Sequence, residues 1–248
     1  RVADPREGRS SSGAPVRHRR RRPPRRGAAG GPIAQPALGV TPMTKDGAVD
    51  LYDKWADNYD ATLRSWRYPA PPRVAALLKL HAQEDSGAVP AGLPILDAGC
   101  GTGLSGEALH DAGFERLVGV DVSSASLEVC KQKGVYSDLQ VCDLECADGP
   151  MPFADDSFAG LVCVGVLSYV QRFDKVFREW QRVVAPGGLV VFTHRPALWD
   201  EDAHGVRRAA GAGGWQQVFE SDPEEYMPDN PDPVQSAKRI RYLVFRVR

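Results

Sequence analysis

The chain has 248 residues, 42% of them hydrophobic, enough to fill one sizeable α/β domain. Its net charge of −1 hides an asymmetry: residues 1–32 carry ten Arg against Asp4 and Glu7, and the remainder carries 21 Lys and Arg against 30 Asp and Glu. An acidic folded part argues against a nucleic-acid groove, no apolar run reaches the ~18 residues of a membrane span, and five cysteines without a CxxC pair argue against zinc or disulfide frameworks. Such cysteine usage points to a reducing compartment, hence the cytoplasm.

Residues 1–42, rich in Arg, Pro and Gly, lack a hydrophobic period and are expected to be disordered. Arg17 to Arg22 (RHRRRR) reads as a nuclear signal, a nucleic-acid-sticky arm or part of a transit peptide. The alternative is sequence upstream of the true start, since the first methionine is Met43. A single domain is expected over 43–248, beginning with cap helices over 50–81. Tyr52, Trp55 and Tyr59 in DLYDKWADNYD recur at i, i+3 and i+7, one face of a short helix that by spacing alone docks on the core. After Trp66-Arg67-Tyr68-Pro69, a helix over Pro72 to His81 places Val74, Leu77, Leu78 and His81 on one face.

A sheet core is expected over 93–195. Leu93 to Leu96 reads as a short buried strand, followed by Asp97 and glycines at 99, 101 and 103, then a helix from Leu104 that ends at Gly113. Glycine lets the backbone of such a turn come close to a ligand, and the helix start aims free N–H groups at it. Leu117 to Asp121 is the second strand, ending on an acid at about the ~20-residue spacing of a ribose-binding carboxylate. Ser124 to Lys133 is a helix stopped by Gly134, and Leu139 to Cys142 is the third strand, with Asp143 and Leu144 at its end. Leu161 to Val164 is apolar throughout, as a central parallel strand should be, and Gly165 to Tyr169 is the loop after it. Phe173, Val176, Phe177, Trp180 and Val184 form a helical core stripe, and Pro186-Gly187-Gly188 turns into a fifth strand, Leu189 to Thr193. Trp215 to Glu220 and Ile240 to Val247 read as a final strand pair, with the acidic, Pro-rich 221–235 between them an extended loop.

Two ligands compete for the glycine turn. A GxGxxG register for a dinucleotide runs from Gly101 to Gly106, but it starts two residues late, after a strand whose Asp97 would meet the diphosphate. A carboxylate there suits a cationic ligand instead.

The string of Asp97, Gly99, Gly101 and Gly103 resembles the DxGxGxG signature of class I S-adenosylmethionine-dependent methyltransferases. YDKWADNYD resembles the cap helix of the family's small-molecule enzymes, and MPFADDSF (151–158) and APGG (185–188) resemble its approaches to strands four and five. Ala159-Gly160 replaces the usual aspartate after Phe158. The likeness covers roughly 50–195 and is greatest for the methyltransferase-like group of the Williams–Beuren region, relatives of quinone-biosynthesis methyltransferases. It implies a three-layer Rossmann-like sandwich whose seven-stranded, mostly parallel sheet has the order 3-2-1-4-5-7-6, strand 7 antiparallel, with substrate loops in 196–248.

The resemblance also implies S-adenosylmethionine as cofactor and a small-molecule acceptor. Tyr52 and Tyr59 become lid residues, and Asp97, Gly99, Cys100, Gly101 and Gly103 form the turn around the cofactor. Asp121 serves the ribose, Asp143 and Leu144 the adenine, Gly165 begins the loop that floors the transfer site, and Val122 and Val164 also touch the cofactor. Arg67 either forks onto the cofactor's carboxylate or is a solvated surface arginine. In-line transfer needs positioning and a dry site, and a base only for a poorly ionised acceptor. Candidates for that base are His194, with a structural role as its alternative, Tyr169 and Tyr226. No acidic pair of the catechol-enzyme kind is present, so no metal is expected, and the absence of an Asn-Pro-Pro-Tyr string disfavours DNA-base or glutamine acceptors. A catalytically silent cofactor-binding module acting through protein partners, or a nucleotide-cofactor oxidoreductase, are the other readings.

Overall fold

Pro94 decides where the sheet begins. It cannot donate to a ladder, so β1 is Ile95–Ala98, two residues later than the apolar run suggests, and it carries Asp97 inside the strand. The computed structural model describes residues 58–84, 90–145, 149–202 and 205–248. Expectations for the 1–42 extension, for Tyr52 and for Trp55 fall outside those residues.

Helix α1 is described over 58–65 and is followed by α2 (Ala70–Glu84). Then come β1, α3 (Leu104–Asp111), β2 (Leu117–Asp121), α4 (Ser124–Lys131), β3 (Asp138–Val141), β4 (Phe158–Cys163) and α5 (Phe173–Val183). β5 (Val184–His194), α6 (Pro196–Asp200), α7 (Val206–Ala212), β6 (Gln216–Glu220), β7 (Glu224–Glu225), α8 (Pro233–Ser236) and β8 (Arg239–Arg246) follow among the described residues.

The sheet runs β3-β2-β1-β4-β5-β8-β6, with β7 pairing only with β8. β1 is parallel to β2 and β4, β2 to β3 and β4 to β5, whereas β8 is antiparallel to both β5 and β6. With β8 as the seventh strand of the expectation, the Rossmann-like order 3-2-1-4-5-7-6 is the one observed. β1 and β4 are buried along their whole length because helices cover both faces, which is why their sequences carry no polar alternation.

One face holds α2 through Val74, Leu77 and Leu78, which cluster with Leu117, Val162, Leu189, Val191 and Tyr242. On the other, α5 presents Phe173, Val176, Phe177, Trp180 and Val183, each buried and spaced at i, i+3, i+4, i+7 and i+10. Burying side chains of this size contributes about 1.5–3 kcal/mol each. The aromatic layer continues through Phe192, stacked on Phe245 at 5.7 Å, and through Trp215, 5.1 Å from Phe177.

Two later segments differ from the sequence reading in more than a residue or two at an end. The fifth strand reaches back to Val184 because the Gly187-Gly188 step is absorbed into the sheet: Gly187 N donates to Val247 O (2.8 Å) and Val247 N donates to Gly188 O (2.9 Å). The 221–235 segment is not a plain extended loop. Glu224 and Glu225 pair with the start of β8, and Asp232 caps the single turn of α8 by accepting from Val234 N at 2.8 Å.

Candidate functional site

The strand order reverses between β1 and β4, so the loops leaving their C-terminal ends diverge and open a crevice there. A cavity with about 1150 Å³ of space, its open mouth included, occupies this place. Gly99, Cys100, Gly101 and Thr102 of the glycine turn wall it, with Asp121, Val122 and Ser123 after β2 and Asp143, Leu144 and Glu145 after β3. The opposite wall is Val164, Gly165, Val166 and Tyr169 after β4, with Tyr59, Leu63 and Tyr68 from the α1–α2 region.

Gly99 fits the turn because its φ is +80° and a Cβ there would lie 2.5 Å from Val166 Cγ2. Gly101 N donates to Asp121 Oδ2 at 2.8 Å, and Ser123 N donates to Asp121 Oδ1 at 2.9 Å. These two bonds aim the carboxylate at the mouth of the turn. Ser123 caps α4 by accepting from Ser126 N at 3.0 Å. Asp143 Oδ1 accepts from Glu145 N at 3.0 Å, and Gly165 N donates to Thr193 Oγ1 at 2.8 Å, which fixes the floor loop.

Asp97 does not line the cavity. It is 0% exposed, under the turn, where Oδ2 accepts from Ser105 Oγ and from Tyr136 OH, both at 2.6 Å. Oδ1 is buried without a hydrogen-bond partner among the described residues. Burial pushes its pKa up to about 6, against the two donors that lower it, and the nearby Asp121 raises it further. Gly103 also stays off the cavity surface: a Cβ there would lie 2.9 Å from Cys130 Sγ and 3.1 Å from Lys133 Cδ. The Cys100 thiol is pushed up by its hydrogen bond with Cys130 and by burial.

Two expected residues are elsewhere. The Arg67 fork is exposed and grips Asp229 through Nε and Nη2, a bond that raises its pKa, so it does not reach into the crevice. His194 is buried on the α5 face, its Nδ1 3.1 Å from Arg195 O and its ring 6.4 Å from Phe173 and 6.2 Å from Trp199. It is a core histidine, not a base at the mouth. Tyr169 does line the cavity, whereas Tyr226 stands behind it, edge-on to Tyr68 with ring centroids 5.3 Å apart and accepting a hydrogen bond from it. Burial holds the phenols of Tyr59 and Tyr68 well above the usual value and that of Tyr226 at about 12.

Sequence reasoning missed Tyr136, Ser105, Thr102, Tyr68 and the Asp60–Lys133 pair. A signal for Tyr136 was present in the glycines: a Cβ at Gly106 would lie 2.1 Å from its ring, and one at Gly119 3.0 Å.

A family model described as a methyltransferase domain matches residues 96–192. The human methyltransferase-like protein 27 is 37% identical over 145 residues, which are 58% of this chain and 56% of that protein. Demethylmenaquinone methyltransferase of Renibacterium salmoninarum is 32% identical over 160 residues, 60% of each chain. The chain thus spans less than two thirds of the length of these relatives. Among solved structures, geranyl diphosphate methyltransferase in complex with S-adenosylmethionine superposes with a TM-score of 0.53 at 17% identity, over 71% of this chain and 85% of that one.

Proposed function

We propose that this chain is a class I S-adenosylmethionine-dependent methyltransferase, a reading supported by the match of residues 96–192 to a methyltransferase domain, and that it transfers a methyl group in line to a small-molecule acceptor. The observation that carries this reading is the acidic wall of the cavity: Asp121 and Asp143 at successive strand ends, with the buried Asp97 behind the turn. Three carboxylates oppose a diphosphate and favour a ligand that brings hydroxyls, an amino group and positive charge.

The residues fit the cofactor. Gly99 and Gly101 admit close backbone approach, Asp121 offers acceptors to a ribose, Asp143 offers one to an exocyclic amine, and Asp97 holds an unpartnered oxygen under the turn. Val122, Leu144, Cys100, Val164 and Gly165 supply the apolar and backbone surface between them. When bound, S-adenosylmethionine supplies an electrophilic methyl on a sulfonium.

The protein's own work is positioning and exclusion of water. Tyr59, Leu63, Tyr68, Val166 and Tyr169 form a largely apolar wall opposite the acids. Proton abstraction finds little support there. His194 faces away, the Tyr59 and Tyr68 phenols hold their protons, and Glu145 Oε1 accepts from Gln171 N and Arg172 N, each at 2.8 Å. An acceptor that arrives already nucleophilic, ionised or with a free lone pair, suits this site.

The test is transfer of a radiolabelled methyl group from S-adenosylmethionine to a fractionated small-metabolite extract, run beside bulk tRNA and a protein lysate. Label in the low-mass fraction is expected. Label confined to tRNA or protein overturns the small-molecule reading, and cofactor binding without any transfer supports the silent-module alternative.

A further inference from the structure

We propose that Lys133 is a positioning residue for cofactor binding: its ammonium ties the cap helix α1 to α3 behind the glycine turn and so keeps Tyr59 in the cavity wall. This rests on reading the cavity as the cofactor site. Lys133 Nζ donates to Asp60 Oδ2 and to Glu107 Oε2, each at 2.5 Å, and its side chain is only 11% exposed. Asp60 lies in α1 and Glu107 in α3, and Asp60 also accepts from Thr102 Oγ1 of the turn. One turn further along α1, Arg64 Nη2 donates to Glu107 Oε2 at 2.7 Å. Four charges therefore join elements that nothing in the sequence connects.

The path of the lysine explains Gly103 as well. Its methylene stem passes where a Cβ at residue 103 would lie 3.1 Å from Lys133 Cδ, so the side chain is threaded behind the turn. A largely buried ammonium is tolerated only with carboxylates against it, and Asp60 and Glu107 meet that need.

Apolar packing also holds α1: Leu63, with Trp66 just beyond the helix, clusters with Met227, and Tyr59 and Leu104 pack on them. Tyr59 faces the cavity as well, and Asp60 beside it faces the lysine. Helical turns are marginal without tertiary contacts. Loss of the lysine tie removes the ionic anchor beside Tyr59 and should therefore loosen that turn before the turn that bears Leu63.

The experiment measures S-adenosylhomocysteine affinity by calorimetry on the full chain, with hydrogen exchange of 58–65 alongside. Lys133→Met, which keeps the stem and removes the charge, should weaken binding about tenfold and speed exchange in 58–65 while β1 and β4 stay protected. Asp60→Asn should give a similar loss, and the double variant should be no weaker than the weaker single. A folded Lys133→Met with unchanged affinity, or losses that simply add, overturns the positioning role. If Lys133→Met does not fold, Asp60→Asn alone decides by the same two readouts. Failure of the unaltered protein to bind S-adenosylhomocysteine would instead remove the cofactor reading itself, and the positioning role with it.

Discussion

Asp97 carries a conflict between stability and binding. A carboxyl whose pKa rises to about 6 on folding holds its proton more tightly folded than unfolded. Its favourable contribution is present below the unfolded value near 3.8 and is lost as pH rises through about 6. At 1.36 kcal/mol per unit, ionised Asp97 costs the empty protein on the order of 3 kcal/mol at pH 7. Asp97→Asn should accordingly raise the melting temperature at pH 7, with a gain that shrinks as pH falls towards 4, while S-adenosylhomocysteine binds more weakly. Calorimetric melts and titrations at pH 4.5, 6 and 7.5 check both signs, and a variant less stable at pH 7 would contradict the burial account. Asp121→Ala should weaken the same ligand by about 1.5–3 kcal/mol, the range of hydrogen bonds to a charged group, with folding intact by circular dichroism. Asp121 was legible in the sequence because it ends β2, whereas Asp97, expected around the ligand, lies inside β1 and under the turn. His194, a base candidate in the sequence reading, was misplaced although alternation carries its position: Val190 and Phe192 lie on the α5 face, so the residue two beyond Phe192 must follow them. Arg67 was not legible, since its partner Asp229 is 162 residues away in a segment without a period.

At the scale of elements, periodic segments declared themselves and irregular ones did not. The α5 stripe is legible from spacing through Trp180, with Val183 rather than Val184 closing it, and the apolar run of β4 is legible only from Leu161, three residues short at its start. Tyr136 follows a helix stop in an irregular stretch, yet it is the wedge that organises β1, β2 and α3: its ring occupies the space kept by Gly106 and Gly119, and its hydroxyl reaches Asp97. An alanine at 106 would place a Cβ 2.1 Å from that ring, a clash which only movement of the tyrosine relieves. Gly106→Ala should therefore destabilise by about 1–3 kcal/mol, the cost of overpacking. Combined with Tyr136→Ala, the loss should be smaller than the sum of the two single losses, as urea unfolding of the four species would show. Strictly additive losses would mean that Gly106 serves helix geometry rather than the wedge. The glycine motif thus does two jobs at once: Gly99 and Gly101 face the cavity, whereas Gly103 and Gly106 make room for side chains behind it.

The whole molecule couples these parts because its two cores share strands. Alternate residues of β4 and β5 serve opposite faces, Leu161, Cys163, Val190 and Phe192 towards α5, and Val162, Leu189 and Val191 towards α2. Losing one core strips support from the other, so a single cooperative transition is expected. The order 3-2-1-4-5-7-6 was legible through the family motifs, but the β7–β8 pairing was not, because a two-residue ladder leaves no pattern. Four strand-end loops and the α1–α2 region meet at the cavity, and a ligand there adds its binding free energy to the whole transition. At 100 times the dissociation constant that gain is about 2.7 kcal/mol. At roughly 2–4 °C per kcal/mol for a domain of this size, S-adenosylhomocysteine should raise the melting temperature by roughly 5–10 °C. NAD at the same concentration should leave it unchanged, because its diphosphate meets the acids of the cavity wall. Scanning calorimetry of the full chain with each ligand separates the two, and a shift with NAD but none with S-adenosylhomocysteine would hand the site to the oxidoreductase reading.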